Sequence, residues 1–216
     1  MTITSSRTRR DATENRAALI LAARVMLNRD PESSLEAIAA EAGLSRRSVY
    51  GHFANRDELL RELVLTGSLR VATALDSISH PEPAVRLALI AAHLWKESDE
   101  IRVMAVIAVR SPLKRYTEDA LRPLRATVLA TVEAGRDAGV VRTDIDAPRL
   151  ARLAEDGLLT VLEESTRAPL TNEEGHRLAM LTILGSIGFG WREAGAFIDS
   201  HEVLALDTIQ NPKAGS

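Results

Sequence analysis

Cysteine is absent from the 216 residues. Disulfides, thiol redox sensing and Cys–zinc sites are thereby excluded. Aromatic residues make up only 3% of the chain, too few to favour a site that stacks a large flat molecule. The Ala- and Leu-rich remainder suits helices packed on helices. The most apolar stretch, residues 178–191, is too short to span a bilayer and is flanked by charge. No apolar segment follows Met1, so no signal peptide is expected and the chain is expected to be cytoplasmic. Neither sign of charge dominates: the net charge is −3, which argues against a generic nucleic-acid coat. Residues 1–60 hold nine Arg against eight Asp and Glu, a local +1 that leaves −4 to the remainder. That pattern gives a small basic surface rather than a stripe. Nucleophile elbow, P-loop, dinucleotide fingerprint and zincin motif are all missing. Residues 185–190 (GSIGFG) are Gly-rich, but the spacing is wrong for a dinucleotide loop and no strand precedes them. His93 and His176 stand isolated, which disfavours a metal site. No catalytic residue, metal or cofactor is expected.

What is present is concentrated in residues 33–60, SSLEAIAAEAGLSRRSVYGHFANRDELL. Leu35, Ile38, Ala39 and Ala42 repeat at helical spacing and give a short helix one apolar face. Gly43 follows where the chain must turn, and Gly takes positive φ without steric cost. Leu44 plugs the core beneath the turn, and Ser45 can cap a second short helix. Val49 faces back toward the small Ala39. The outer face of the second helix is then Arg46, Arg47, Ser48, Tyr50 and His52, groups that bond phosphates and base edges. Ser33 and Ser34 lie where the first of these helices would meet a DNA backbone, and Ser33 with Glu36 forms a capping-box pattern. This spacing predicts a helix-turn-helix.

The match extends further. Residues 15–27 (NRAALILAARVML), 38–45 (IAAEAGLS) and 48–60 (SVYGHFANRDELL) together resemble the DNA-binding domain of the TetR family of bacterial transcriptional regulators. Ser48 stands where that family usually has Thr, Arg56 where it has Lys, and Leu27 where Phe is common. The resemblance implies that Ser48, Tyr50, His52 and Arg56 contact phosphates. It also implies a helical body that holds a small-molecule effector. It covers the first quarter of the chain by motif and the rest by architecture.

The expected fold is all-α: a three-helix helix-turn-helix domain at residues 1–54, then a helical ligand-binding and dimerisation domain at 55–198. Residues 1–11 are read as a flexible basic arm and 199–216 as a C-terminal tail. A first helix over about 12–28 ends before Pro31. Asn55, with Glu58 three residues on, caps a fourth helix that reaches about residue 78 and joins head to body. Body helices are expected at 84–95, 99–109, 114–138, 148–166 and 172–196, separated by Pro and Gly.

Within the body, Trp95, Met104, Tyr116, Asp156 and Phe189 are candidates for an effector cavity. Arg152, Glu155 and Asp156 fall off the apolar face of their helix. Leu178, Leu181, Thr182, Gly185 and Phe189 make the last long helix apolar nearly all round, so it must be buried on more than one side. With Leu158 they form the expected homodimer interface, since a two-fold dimer also gives a small reading head its specificity. The function expected is that of a repressor that binds a pseudo-palindromic double-stranded DNA operator and is released by a small molecule. The alternative is a DNA-binding architectural protein or co-regulator with a filled body and no ligand; a helical enzyme is remote.

Overall fold

The computed structural model describes the backbone of residues 3–98 and 114–210 and the side chains of residues 12–98 and 117–210. Every regular element among them is helical. The head comprises α1 (Ile3–Arg29), α2 (Leu35–Glu41) and α3 (Arg46–His52). The long α4 (Arg56–Asp76) leads into the body. The body continues with α5 (Pro83–Ser98), α6 (Lys114–Ala120), α7 (Arg122–Asp137), α8 (Ala147–Arg167), α9 (Asn172–Ser186) and α10 (Trp191–Ser200). A 3-10 turn (Glu202–Leu204) and α11 (Leu206–Gln210) complete it.

The head folds as its local signals dictate. Gly43 adopts φ +69° at the α2–α3 turn, the left-handed region that glycine enters freely. The Ser45 hydroxyl accepts from the Ser48 amide at 3.2 Å, and Asn55 accepts from the Glu58 amide at 2.9 Å. The cap of α2 is Ser34, which accepts from the Ala37 amide. Ser33 instead turns inward and donates to the Asp30 carbonyl at 2.8 Å. Leu19, Leu27, Ile38, Val49, Phe53 and Leu59 are fully buried together and form a core separate from that of the body. At roughly 1.5–3 kcal/mol for each large side chain buried, this cluster holds α1 against the two short helices α2 and α3, which would not persist alone.

In the body, α5 and α9 pack on each other at the centre; α8 packs on α9 and α7, and α4 and α7 pack on α5 and on one another. Two helices read as continuous in the sequence are divided. The 114–138 segment breaks at Leu121, because Pro123 has no N–H to donate and sits where a new helix begins. The 172–196 segment breaks at residues 187–190, where Gly188 takes φ +118°. The Ile187 carbonyl at that break accepts from the Arg142 amide at 2.9 Å.

Two end segments also differ from expectation. The backbone of residues 3–11, read as part of a flexible arm, continues α1. Residues 201–210, read as tail, pack on the body: Leu204 and Ile209 are buried. Their carbonyls accept from His176 Nε2 and Lys96 Nζ, each at 2.8 Å. Met104 and the side chain of Tyr116 lie outside the described residues, as does the expected helix at 99–109.

Candidate nucleic-acid interface and body cavity

The outward face of α3 presents Arg46, Arg47 and Tyr50 exposed, with Ser48 half-buried beside them. Val49 and Phe53 point the opposite way and are fully buried, so the helix cannot rotate without emptying the head core. Tyr50 is tied across to α2, its hydroxyl donating to Glu36 Oε1 at 2.8 Å. The Arg46 guanidinium lies 3.5 Å from the same oxygen and 5.8 Å from the centre of the Tyr50 ring. The Tyr50 hydrogen bond, more than the nearby Arg46 charge, holds the Glu36 carboxyl below the usual carboxylate range. Glu36 is thus no capping residue; the sequence pattern pairing it with Ser33 is replaced by the Ser34 cap.

Two residues read as phosphate contacts face elsewhere. Arg56 is half-buried; its Nε donates to the Ser33 carbonyl at 3.0 Å and its terminal nitrogen to the Pro31 carbonyl. It clamps the α1–α2 turn from the start of α4. Ser33 is 6% exposed, and its hydroxyl serves the same turn. His52 is half-buried, and its carbonyl accepts from Arg16 at 2.8 Å. Arg16 also pairs with Glu62 through an Nε–Oε1 bond of 2.9 Å and lies 4.4 Å over the Phe53 ring. It joins α1, α3 and α4 at one point.

Where head meets body there is a cavity of about 220 Å³. Ile20 and Arg24 of α1 and Leu63 to Leu75 of α4 form one wall. Ile90 and Leu94 of α5, Leu124 and Val128 of α7, and Leu158, Leu159 and Leu162 of α8 form the other. Its apolar lining is aliphatic throughout, with no aromatic ring among the described residues. An ion pair with both members in the lining joins α7 to α8: Arg125 Nε lies 3.2 Å from Glu155 Oε2. Burial pushes the Glu155 carboxyl upward, and the Arg125 charge opposes that rise.

Of the residues proposed from sequence for a ligand, the three that are described, Trp95, Asp156 and Phe189, do not line this cavity. Trp95 is 1% exposed and belongs to the α5–α9 contact, where Nε1 donates to Asn172 Oδ1 at 2.8 Å. Asp156 is exposed and does not line the cavity. Phe189 packs edge-on against Phe197, ring centres 5.1 Å apart. Leu158, read as an interface residue, is 5% exposed and faces the cavity, so it has little area left for a partner. Leu178, Leu181 and Thr182 are half-buried, whereas Gly185 is exposed. A Cβ on Gly185 would meet nothing within 4 Å, and Leu153 of α8 is 49% exposed. The cavity did leave a trace in the sequence: Glu155, Leu158, Leu159 and Leu162 fall at i, i+3, i+4 and i+7, a carboxylate set into an aliphatic row.

Comparison with known proteins places these features. Residues 19–63 match the family model described as bacterial regulatory proteins, tetR family. No protein of curated function matches the chain. Among solved structures, the chain is similar to SmeT, the repressor of the Stenotrophomonas maltophilia multidrug efflux pump SmeDEF. The identity is 24%, with 79% of this chain and 89% of SmeT covered and a TM-score of 0.61. It is similar to the fatty acid degradation regulator FadR from Bacillus halodurans at 14% identity, covering 82% and 97% of the two chains, with a TM-score of 0.68. The transcriptional regulator FadR from Bacillus subtilis, solved with stearoyl-CoA, matches at 14% identity over 80% and 97%, with a TM-score of 0.65. At these identities the likeness is one of fold.

Proposed function

We propose that this chain is a ligand-responsive transcriptional repressor: residues 19–63 match the tetR family model, and the fold is similar to that of such regulators. It binds a pseudo-palindromic operator as a homodimer and leaves it when a small molecule enters the body. It acts by binding, not by catalysis. The observation that carries this reading is the shared lining of the cavity, which comes from the head through Ile20 and Arg24 of α1, from the connecting α4, and from the body through α5, α7 and α8. A molecule filling it touches the reading head directly. Its differential affinity for two head positions is all that linkage requires.

The DNA contacts come from α3. Arg46 and Arg47 reach base edges and phosphates, Ser48 and Tyr50 contact phosphates, and Ser34 and His52 approach the backbone. Two copies place their α3 helices in successive major grooves, with half-sites roughly 34–36 Å or a multiple apart. The second copy docks on the outer face of α8 and α9, around Leu153, Leu178, Leu181, Thr182 and Gly185. Gly157 supports that face from within: a Cβ there would sit 3.0 Å from Thr182 Cγ2, so α8 and α9 approach closely.

The effector is a flexible aliphatic molecule with one polar group directed to the Arg125–Glu155 pair. The aliphatic lining supports this: the described residues around the cavity offer van der Waals contact, and none of them is aromatic. The B. subtilis FadR structure holds stearoyl-CoA, which carries such a chain. A body with a cavity also disfavours the ligand-free architectural alternative. The test joins two measurements. Aliphatic alcohols, acids and amines of graded length are screened for a raised melting temperature, and each stabilising compound is then assayed for release of operator DNA. Stabilisation together with release supports the reading; stabilisers that leave DNA binding unchanged refute the sensor half. Arg46→Ala with Arg47→Ala tests the other half. The loss expected is about 1–3 kcal/mol for each base contact removed, and unchanged affinity in a folded double variant refutes the DNA face.

A further inference from the structure

The DNA face contains a carboxylate where phosphates would be expected to repel one. Glu36 is the second residue of α2, and its side chain is 41% exposed. Capping does not explain it, because Ser34 caps α2. Its Oε1 instead gathers two groups of α3 at once, the Tyr50 hydroxyl at 2.8 Å and the Arg46 guanidinium at 3.5 Å. Arg46 in turn lies over the Tyr50 ring. These three side chains from two helices form a closed set at the outer end of the reading helix.

We propose that Glu36 is a specificity-determining residue of the head: it holds Arg46 in an arrangement suited to base edges and penalises binding through phosphates alone. The proposal rests on the DNA-binding reading above. The argument is one of competition. Non-specific DNA offers mainly phosphate contacts. To take one, Arg46 must leave Glu36, and a second negative group then lies beside the phosphate. An operator offers base edges, which Arg46 can meet with its other N–H groups while Glu36 still holds it, since a guanidinium carries five donors. The arginine then arrives already ordered, and less side-chain freedom is lost on binding. In free solution such an exposed pair is weak. Docking expels water from this face, and the same charges then weigh more.

The experiment begins by selecting a preferred duplex from a randomised pool with the wild-type protein. Affinities for that duplex and for a scrambled duplex of equal length are then measured across salt concentrations. Glu36→Gln keeps the shape and removes the charge. Its ratio of selected to scrambled affinity should fall about tenfold, the value of one modest base discrimination. The fall should come mainly from tighter binding to the scrambled duplex, whose salt slope should steepen by about one unit. Tyr50→Phe, which removes one of the two contacts to Glu36, should shift the ratio the same way by less. An unchanged ratio in E36Q, or equal weakening on both duplexes, overturns the proposal and leaves the DNA-binding reading standing. A wild-type protein that selects no duplex overturns that reading itself.

Discussion

Replacing Gly175 by Ala should break the body, although helix propensity alone says the reverse. Gly175 lies within the first turns of α9, and Ala in a helix interior is favoured over Gly by about 1 kcal/mol. A Cβ built there, however, falls inside the Trp95 indole, against three of its ring atoms. The indole cannot yield cheaply. It is 1% exposed at the α5–α9 contact, and its Nε1 hydrogen bond to Asn172 anchors it from the side. Overpacking of this kind costs about 1–3 kcal/mol, and loss of the indole bond adds about 1–2 kcal/mol for a buried donor left unpaired. Against the propensity gain, the net destabilisation is about 1–4 kcal/mol. Urea unfolding of Gly175→Ala, followed by the fluorescence of Trp95 in a Trp191→Phe background, measures it. Trp191 is 74% exposed, so its removal leaves the core intact and isolates the buried signal. Trp95→Leu combined with Gly175→Ala, followed by far-UV circular dichroism, should recover part of the loss relative to the sum of the single variants. A Gly175→Ala protein as stable as wild type would refute the close packing on which this reasoning depends.

Arg56→Ala should lower the melting temperature of the head and weaken DNA binding without changing the salt slope, because the guanidinium clamps the Pro31 and Ser33 carbonyls; a slope reduced by one unit would return Arg56 to a phosphate. Gly185→Glu should fold, since a side chain there meets nothing within 4 Å. It should split the proposed dimer by burying an unpaired charge, and sedimentation showing an intact dimer would move the interface elsewhere. Stability should fall as pH drops below about 6.5, the ordinary His value. Burial holds the His176 pKa low in the folded chain, so the unfolded chain binds the proton first, and the His176 contribution is complete only above that range. Urea midpoints at pH 8 and 5.5 should differ less in His176→Gln than in wild type, and an equal difference would assign the effect to other groups.

The parts of this molecule that were readable from sequence are those whose physics is local. Gly43, Ser45 and Asn55 each act on amides or torsions within three residues, so the turn, the reading helix and the start of α4 follow from adjacent letters. The body is governed by which face of each helix meets which neighbour, and single-helix periodicity underdetermines that choice. Leu153 and Leu158 belong to one helix and one residue type, yet the first is half exposed and the second lines the cavity. Trp95 attracts attention as one of two tryptophans, but the residue that explains it is Gly175, eighty positions away, whose missing Cβ makes room for the ring. Arg56 shows the same limit inside the head. Its charge suggests a phosphate, while its reach and donor fork suit two carbonyls of a turn more than twenty residues earlier. A cation's partner is set by what the fold brings within its length, and in this head the fold brings peptide carbonyls first. Under the proposed function, the groups left for DNA are therefore fewer than the basic residues of the motif, and one of those that remain, Arg46, lies 3.5 Å from the Glu36 carboxylate.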